Sequence, residues 1–347
     1  MIDLTPYNTL RIPAGAQNLR RITSKKALLQ EFRLGSFKKP HLFLGHGANV
    51  LFTRDFPGTV FINQTAGKKI VAETDSAVSV EFASGEDWEQ AVLWSVKNNW
   101  SGMENMALIP GTIGAAAVGN IAAYGQNQQD IFNSLTAVNL TTGKSRRFSF
   151  SDMHFSYRES ILKNELAGEF FVTSVTYNLS KTAHLELSYH AARHASLLPE
   201  LEKIAKPPYT LQNIADAVIN LRTAKLPDVR SVHTAGSFFK NPVVARDVAD
   251  RLREKIPDLQ TYPPDKLSYQ DPGQTNNLVK LPAGMLLDEL GWKGKIIGHV
   301  GTFATHALIV VTSDGATGRE VFEFSEMMRN DVQKHFGVNL EYEVVVI

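Results

Sequence analysis

The spacing of apolar residues changes period several times along the chain, and each change predicts an element. Near the start, TSKKALLQEF carries a helical pattern over residues 24–32, with Ser24 placed to cap it, and the apolar run HLFLG beyond it predicts a strand. Residues 1 to about 68 therefore read as a small βαβ-like unit. From Lys69 the period falls to two, and KIVAETDSAVSVEFASG gives two short strands about a TDS turn. DWEQAVLWSVKNNW returns to helical spacing and sets Trp88, Val92 and Val96 together as core. AVNL and KSRRFSF make a hairpin-like pair with Thr142 and Gly143 at the turn, and FVTSVTYNLS is a further strand. The helix IADAVINLRTAK runs to KLPD, where Pro227 interrupts the pattern and predicts a boundary. The remainder alternates the helices VARDVADRLREKI, PAGMLLDELG and GREVFEFSEMMRNDVQKHFG with strands around HALIVVTSDG, which predicts a mixed α/β domain.

One stretch follows neither period. Residues 108–125, LIPGTIGAAAVGNIAAYG, hold no charge, almost no large side chain, and glycines at 111, 114, 119 and 125. Such a run is close packing of small residues, a tight turn, or a backbone cradle in which main-chain N–H groups and a helix N-terminus receive a pyrophosphate. A second glycine loop, GHGANVLF at 45–52, lies between apolar strands upstream and favours the cradle. Val50 takes the place of the third glycine of a dinucleotide-binding fingerprint, so a Rossmann site is not expected. Asn49, after two glycines, is placed either to bridge phosphate or ribose oxygens or to serve as a left-handed turn residue.

At 347 residues the chain is too long for one typical core, and two or three domains are expected. Its 36 basic against 35 acidic residues give no electrostatic case for nucleic acid or an anionic membrane. The absence of cysteine excludes disulfides, thiolate catalysis, iron–sulfur clusters and cysteinyl zinc. MIDLTPYNTLRIPAGAQNL lacks a basic stretch followed by an apolar one, and no run approaches the ~18 to 20 apolar residues of a membrane span, so the expected location is cytoplasmic. His190 and His194 in HAARH are four apart, but no acidic third ligand accompanies them, and no metal is expected.

Taken in order, GHGANVLF, IPGTIGAAAVGNIAAYG, YRES, AGSFFKNP and LEYEV make the chain resemble the UDP-N-acetylenolpyruvoylglucosamine reductases, flavoenzymes of bacterial cell-wall precursor synthesis. The resemblance runs from about residue 7 to 347 and is to the longer class, with a tyrosine-bearing loop. It implies the α+β class, with a two-subdomain FAD-binding fold of the vanillyl-alcohol-oxidase type over 1–68 and 69–213 and a substrate lid at about 180–213. A mixed α/β substrate-binding domain over 214–335 and a C-terminal strand, 336–347, carrying a glutamate complete it. The implied activity is NADPH-dependent reduction of the enolpyruvyl group of UDP-N-acetylglucosamine enolpyruvate, giving UDP-N-acetylmuramate, by a monomer.

The resemblance also implies roles for residues. Noncovalent FAD is expected on Gly45, His46, Gly47, Ala48, Asn49, Val50 and Leu51, and on Pro110, Gly111, Thr112, Gly114, Ala115, Asn120, Ala122, Tyr124 and Gly125. Hydride passes from flavin N5 to the vinyl CH2 carbon, and the adjacent carbon is protonated through an enolate, so the site needs a cation, a proton donor and a second polarising group. Ser237 in AGSFFKNP is the implied donor; its flanks do not form a GxSxG elbow, and a lone serine after glycine is otherwise a turn or cap residue. Arg158 in YRES is the implied carboxylate fork, its alternative being a surface ion pair with Glu159 or Glu165. In LEYEV, strand alternation puts Glu341 and Glu343 on one face and does not choose between them; register with the family selects Glu343, although Tyr342 replaces the family's usual proline. Tyr189 on the lid, with Lys225, Asn241, Tyr262, Lys293 and His306, is the implied holder of the uridine diphosphate part. Two other readings fit the same residues: a different FAD-dependent oxidoreductase of this fold, and a non-enzymatic nucleotide-sugar-binding module.

Overall fold

The computed structural model describes residues 1–189, 196–264 and 277–347; HAARH, at 190–194, lies outside them. The chain divides into two units. A middle unit holds Asn18–His46 and Gly58–Ala224, and a composite unit holds Met1–Gln17, Gly47–Pro57 and Lys225–Ile347. The chain thus changes unit inside the first glycine loop, between His46 and Gly47.

The middle unit is built on a five-stranded antiparallel sheet in the order Ser145–Ser149, Phe132–Asn139, Phe170–Ser180, Ala77–Ala83, Lys68–Glu73. The strands about the TDS turn and the hairpin turning at Gly143 are both as the pattern predicts. Alternation in Ala77–Ala83 sends Val78, Val80 and Phe82 into the core. Helix Trp88–Lys97 starts at Asp87, whose Oδ1 accepts from Gln90 N at 2.8 Å, and it lays Trp88, Val92 and Val96 in that core. Ser24 caps helix Lys25–Arg33, accepting from Ala27 N at 3.1 Å.

The composite unit carries a four-stranded antiparallel sheet, His233–Ser237, His306–Thr312, Val300–Phe303 and Ile296–Ile297. Helices Ala283–Glu289 and Gly318–Phe336 pack on it. The longer helix is bounded by a Thr317/Glu320 capping box and by Gly337 in the left-handed region. Phe238, Phe239, Leu286, Val310 and Phe324 are buried between these layers, each stabilising the fold by on the order of 1.5–3 kcal/mol.

The C-terminal stretch departs from the expected strand. Only Tyr342 forms an isolated bridge, to Phe239, and the strand proper is Val345–Val346, paired in parallel with Val50–Leu51. Between them Glu343 N and Val344 N both turn to the Phe238 carbonyl, at 3.0 and 3.5 Å, which breaks the ladder and with it the argument from alternation. Among the described residues no helix is long and apolar enough to cross a membrane.

Candidate active site

Within the middle unit the two glycine loops meet at Gly45 and Thr112. A Cβ on Gly45 would stand 2.7 Å from Thr112 Oγ1, so the approach requires a residue without a side chain. Thr112 in turn caps the short helix Ile113–Gly119. The expectation that this helix N-terminus receives an anion is not met: Ile113 N donates to Glu86 O at 2.9 Å and Gly114 N to Ser84 O at 2.8 Å. The loop folds back onto residues 84–87, and those carbonyls take the donors. Other donors remain. Among the described residues of the middle unit, the main-chain N–H groups of His46, Gly111 and Thr112 make no hydrogen bond within the protein. Open N–H groups beside glycines suit the diphosphate of FAD.

Asn49 is not the left-handed turn residue that was one of its two expected parts. Its backbone is not left-handed, and its Nδ2 donates to Glu343 O at 3.1 Å. Val50 and Leu51 are ladder residues, and His46 Nδ1 lies 3.6 Å from Asp87 Oδ2.

Asn120 closes the helix in the left-handed region and is nearly inaccessible. Its Nδ2 donates to Gln129 Oε1 and Ser156 O, both at 2.8 Å, and its Oδ1 accepts from Gln128 Nε2 at 2.9 Å. Gln128 is also the acceptor for the Tyr177 hydroxyl, a phenol that burial keeps neutral by raising its pKa far above the ordinary value. With both amide hydrogens engaged internally, Asn120 can offer a cofactor only its main chain and its half-used oxygen. The same stretch fixes Arg158. Its Nη2 donates to Ala122 O at 3.2 Å and Nη1 to Asn120 O at 3.4 Å, while Ser160 Oγ donates to Val118 O at 2.7 Å. Arg158 itself has φ 60°, a conformation costing on the order of 1–3 kcal/mol for a residue with a side chain. YRES and the glycine stretch are therefore one assembly.

Tyr189 stands edge-on to Tyr124, ring centroids 5.4 Å apart at 67°. Burial raises both phenols, and the Arg222 charge beside Tyr124 partly opposes the rise there. Burial also lowers the Arg222 pKa, and its Nε is enclosed with no hydrogen-bond partner among the described residues. Sequence reasoning passed over this arginine because one basic residue on a helix carries no signal of enclosure.

In the composite unit Gly236, at φ 75°, makes a bulge between Thr234 and Ser237 in the strand His233–Ser237. A bulge re-aims the side chain that follows it, and Ser237 is half-buried at that point. Glu343 is also half-buried and is joined to the serine motif through Phe238 O. Glu341 is exposed and pairs with Lys240 at 3.3 Å, which separates the two glutamates that periodicity left equal. Tyr342 answers the missing proline: its hydroxyl donates to Glu326 Oε1 at 2.6 Å and lies 2.8 Å from Ser325 Oγ. Burial and then the Glu326 carboxylate push its phenol up to about 12.

The residues expected to hold the nucleotide have structural duties as well. Asn241 Oδ1 accepts from Ala283 N at 2.9 Å, Tyr262 donates to Gln260 Oε1 at 2.6 Å, and Lys293 pairs with Asp288 at 2.8 Å. Lys225 O accepts from Thr305 Oγ1 at 2.8 Å, and His306 Nδ1 accepts from Leu308 N at 3.3 Å. These bonds fix where each side chain starts.

Comparison with known proteins agrees with this layout. Residues 20–149 match the family model described as an FAD binding domain, and residues 227–347 match that described as UDP-N-acetylenolpyruvoylglucosamine reductase, C-terminal domain. The UDP-N-acetylenolpyruvoylglucosamine reductases of Burkholderia multivorans and Burkholderia ambifaria are 41% and 42% identical to this chain, over 99% of it and 95% of theirs. The solved structure of UDP-N-acetylenolpyruvylglucosamine reductase (MurB) from Thermus caldophilus has the same fold, with a TM-score of 0.64 and 19% identity over 99% of this chain and 96% of that one. Near-complete coverage at that identity to the Burkholderia proteins, with both family models in order, shows that the chain belongs to the UDP-N-acetylenolpyruvoylglucosamine reductase family.

Proposed function

We propose that this protein is an NADPH-dependent flavoenzyme that reduces the enolpyruvyl group of UDP-N-acetylglucosamine enolpyruvate to give UDP-N-acetylmuramate, for peptidoglycan precursor synthesis. The observation that carries the reading is the main-chain hydrogen bond from Glu343 N to Phe238 O, which ties the backbone bearing the glutamate to the residue after Ser237, from a distant part of the chain. FAD held noncovalently by residues 45–51 and 110–125 supplies, when bound, a hydride taken from NADPH to the vinyl CH2 carbon.

The protein's own groups do the rest. Arg158 grips the substrate carboxylate with a planar fork that suits the charge growing there, a match lysine does not provide. Ser237 gives its hydroxyl proton to the adjacent carbon. A serine is a weak acid, so that transfer requires a strongly basic enolate kept from water. Glu343 polarises the same centre. Lys225, Asn241, Tyr262, Lys293 and His306 bind the uridine diphosphate part, and Tyr189 closes over the diphosphate. On this reading residues 1–68 and 69–213 serve the cofactor, 214–335 the nucleotide sugar, and 336–347 bring Glu343. The enzyme works as a cytoplasmic monomer on small molecules, without nucleic acid or membrane.

The test is anaerobic. Holoenzyme reduced by NADPH is mixed with UDP-N-acetylglucosamine enolpyruvate, and flavin absorbance is followed with the product mass. Return of the oxidised spectrum with formation of UDP-N-acetylmuramate is expected. Flavin that stays reduced points to another oxidoreductase, and colourless protein to a binding module.

A further inference from the structure

Asn105 lies fully buried in the short turn Glu104–Met106, outside every motif discussed above. Its Nδ2 donates to two carbonyls from distant parts of the middle unit, Tyr124 O at 2.7 Å and Glu186 O at 2.8 Å. Its main-chain N–H donates to Gln126 Oε1 at 3.0 Å. Because both amide contacts are to carbonyl oxygens, the nitrogen is the atom that faces them, and Oδ1 is left buried without a partner. An unmet buried acceptor is a cost that the two donations offset.

The neighbouring carboxylate strengthens the joint. Glu104 is fully buried and accepts from Ser101 Oγ at 2.9 Å, Gly102 N at 2.6 Å and Gln126 Nε2 at 2.9 Å. Ser101 Oγ accepts from His184 N at 3.3 Å. Glu186 lies so close over Gly125 that an added Cβ would stand 2.7 Å from its Cγ. The segment leading to Tyr189 is thus tied at His184 and Glu186 to the end of the second glycine loop, where the Tyr124 and Tyr189 rings meet.

We infer that Asn105 is a positioning residue for the reaction: its carboxamide clasps the Tyr189-bearing segment to the 124–126 turn and thereby sets the tyrosine that receives the diphosphate. The inference rests on the reading of Tyr189 given above. A residue with only a packing role in the core would affect stability without selecting one half of the reaction, whereas a clasp acts on substrate binding and through Tyr189.

The experiment uses three holoenzymes, Asn105→Ala, Tyr189→Ala and the double variant, with flavin content measured for each. Stopped flow gives the rate of flavin reduction by NADPH and the affinity for UDP-N-acetylglucosamine enolpyruvate. Asn105→Ala is expected to weaken substrate binding about tenfold and to leave reduction by NADPH at the native rate. The double variant is expected to bind no worse than Tyr189→Ala alone, because both changes remove one interaction. Native affinity in Asn105→Ala, or losses that add in the double variant, overturns the inference while leaving the role of Tyr189 standing. Native affinity in Tyr189→Ala overturns the underlying reading. Should Asn105→Ala fail to hold flavin, hydrogen exchange of the unmodified, substrate-free holoenzyme decides. A peptide spanning 184–189 is expected to exchange slowly, and exchange at the rate of an unstructured chain overturns the clasp.

Discussion

Glu343 and Phe238 are joined main chain to main chain, Glu343 N donating at 3.0 Å to the carbonyl of Phe238, the residue that follows Ser237. The bond makes the positions of the serine and the glutamate interdependent, and it is braced from both ends. Asn49 Nδ2 holds the Glu343 carbonyl at 3.1 Å, and Tyr342 is anchored on Glu326 and Ser325.

That anchor has a pH signature. Tyr342→Phe keeps the ring packed on Phe239 and Phe322 and removes the hydroxyl, so a loss of about 1 kcal/mol is expected near neutral pH. The folded phenol titrates at about 12, above the unfolded value of about 10. Its stabilisation is therefore fully present below about pH 10 and is lost as pH rises toward 12. Urea unfolding of both proteins should show a gap that closes across that window; a constant gap would contradict the anchor.

Two glycines of similar appearance are expected to behave differently. Gly45→Ala puts a methyl group against Thr112 and should release flavin, because the two loops no longer meet. Gly119→Ala meets nothing within 4 Å inside a helix and should raise stability by up to about 1 kcal/mol with flavin retained. Flavin per protein after gel filtration and the thermal midpoint separate them. Equal flavin retention in both would refute the close approach.

Flavin is expected to leave the protein on acid precipitation. His46, the histidine of the first loop, lies beside Asp87, and no cysteine exists to form a thioether. Yellow colour remaining in the washed pellet would mean a covalent link.

Much of this was legible in the sequence where one residue type suffices to decide. Ser24 as a cap, the period-two strands around TDS, and the buried Trp88, Val92 and Val96 follow from local pattern alone. The glycine loops were legible as backbone sites, but which N–H groups stay open was not. That depends on Ser84 and Glu86 lending their carbonyls to Ile113 and Gly114, a pairing across the fold that no spacing encodes. The bond from Asn49 was not legible for the same reason, since its partner Glu343 lies near the other end of the chain. Glu104 and Asn105 gave no signal, because a buried polar residue looks like a surface one until its partners are known. Between Glu341 and Glu343 strand alternation does not discriminate; register with the family selects Glu343, and the structure separates the two by exposure and the Lys240 ion pair.

The most direct test of the central claim is a pair of half-reactions in Ser237→Ala. Flavin reduction by NADPH needs no proton from Ser237, so its rate should match that of the native enzyme. Single-turnover reoxidation by UDP-N-acetylglucosamine enolpyruvate should slow about 10²- to 10⁴-fold, the range of a lost general acid, with substrate affinity and flavin content unchanged. Ser237→Cys, which keeps a donor, should lose less. Near-native reoxidation in Ser237→Ala would contradict the account, leaving the serine as the turn residue its glycine neighbour first suggests.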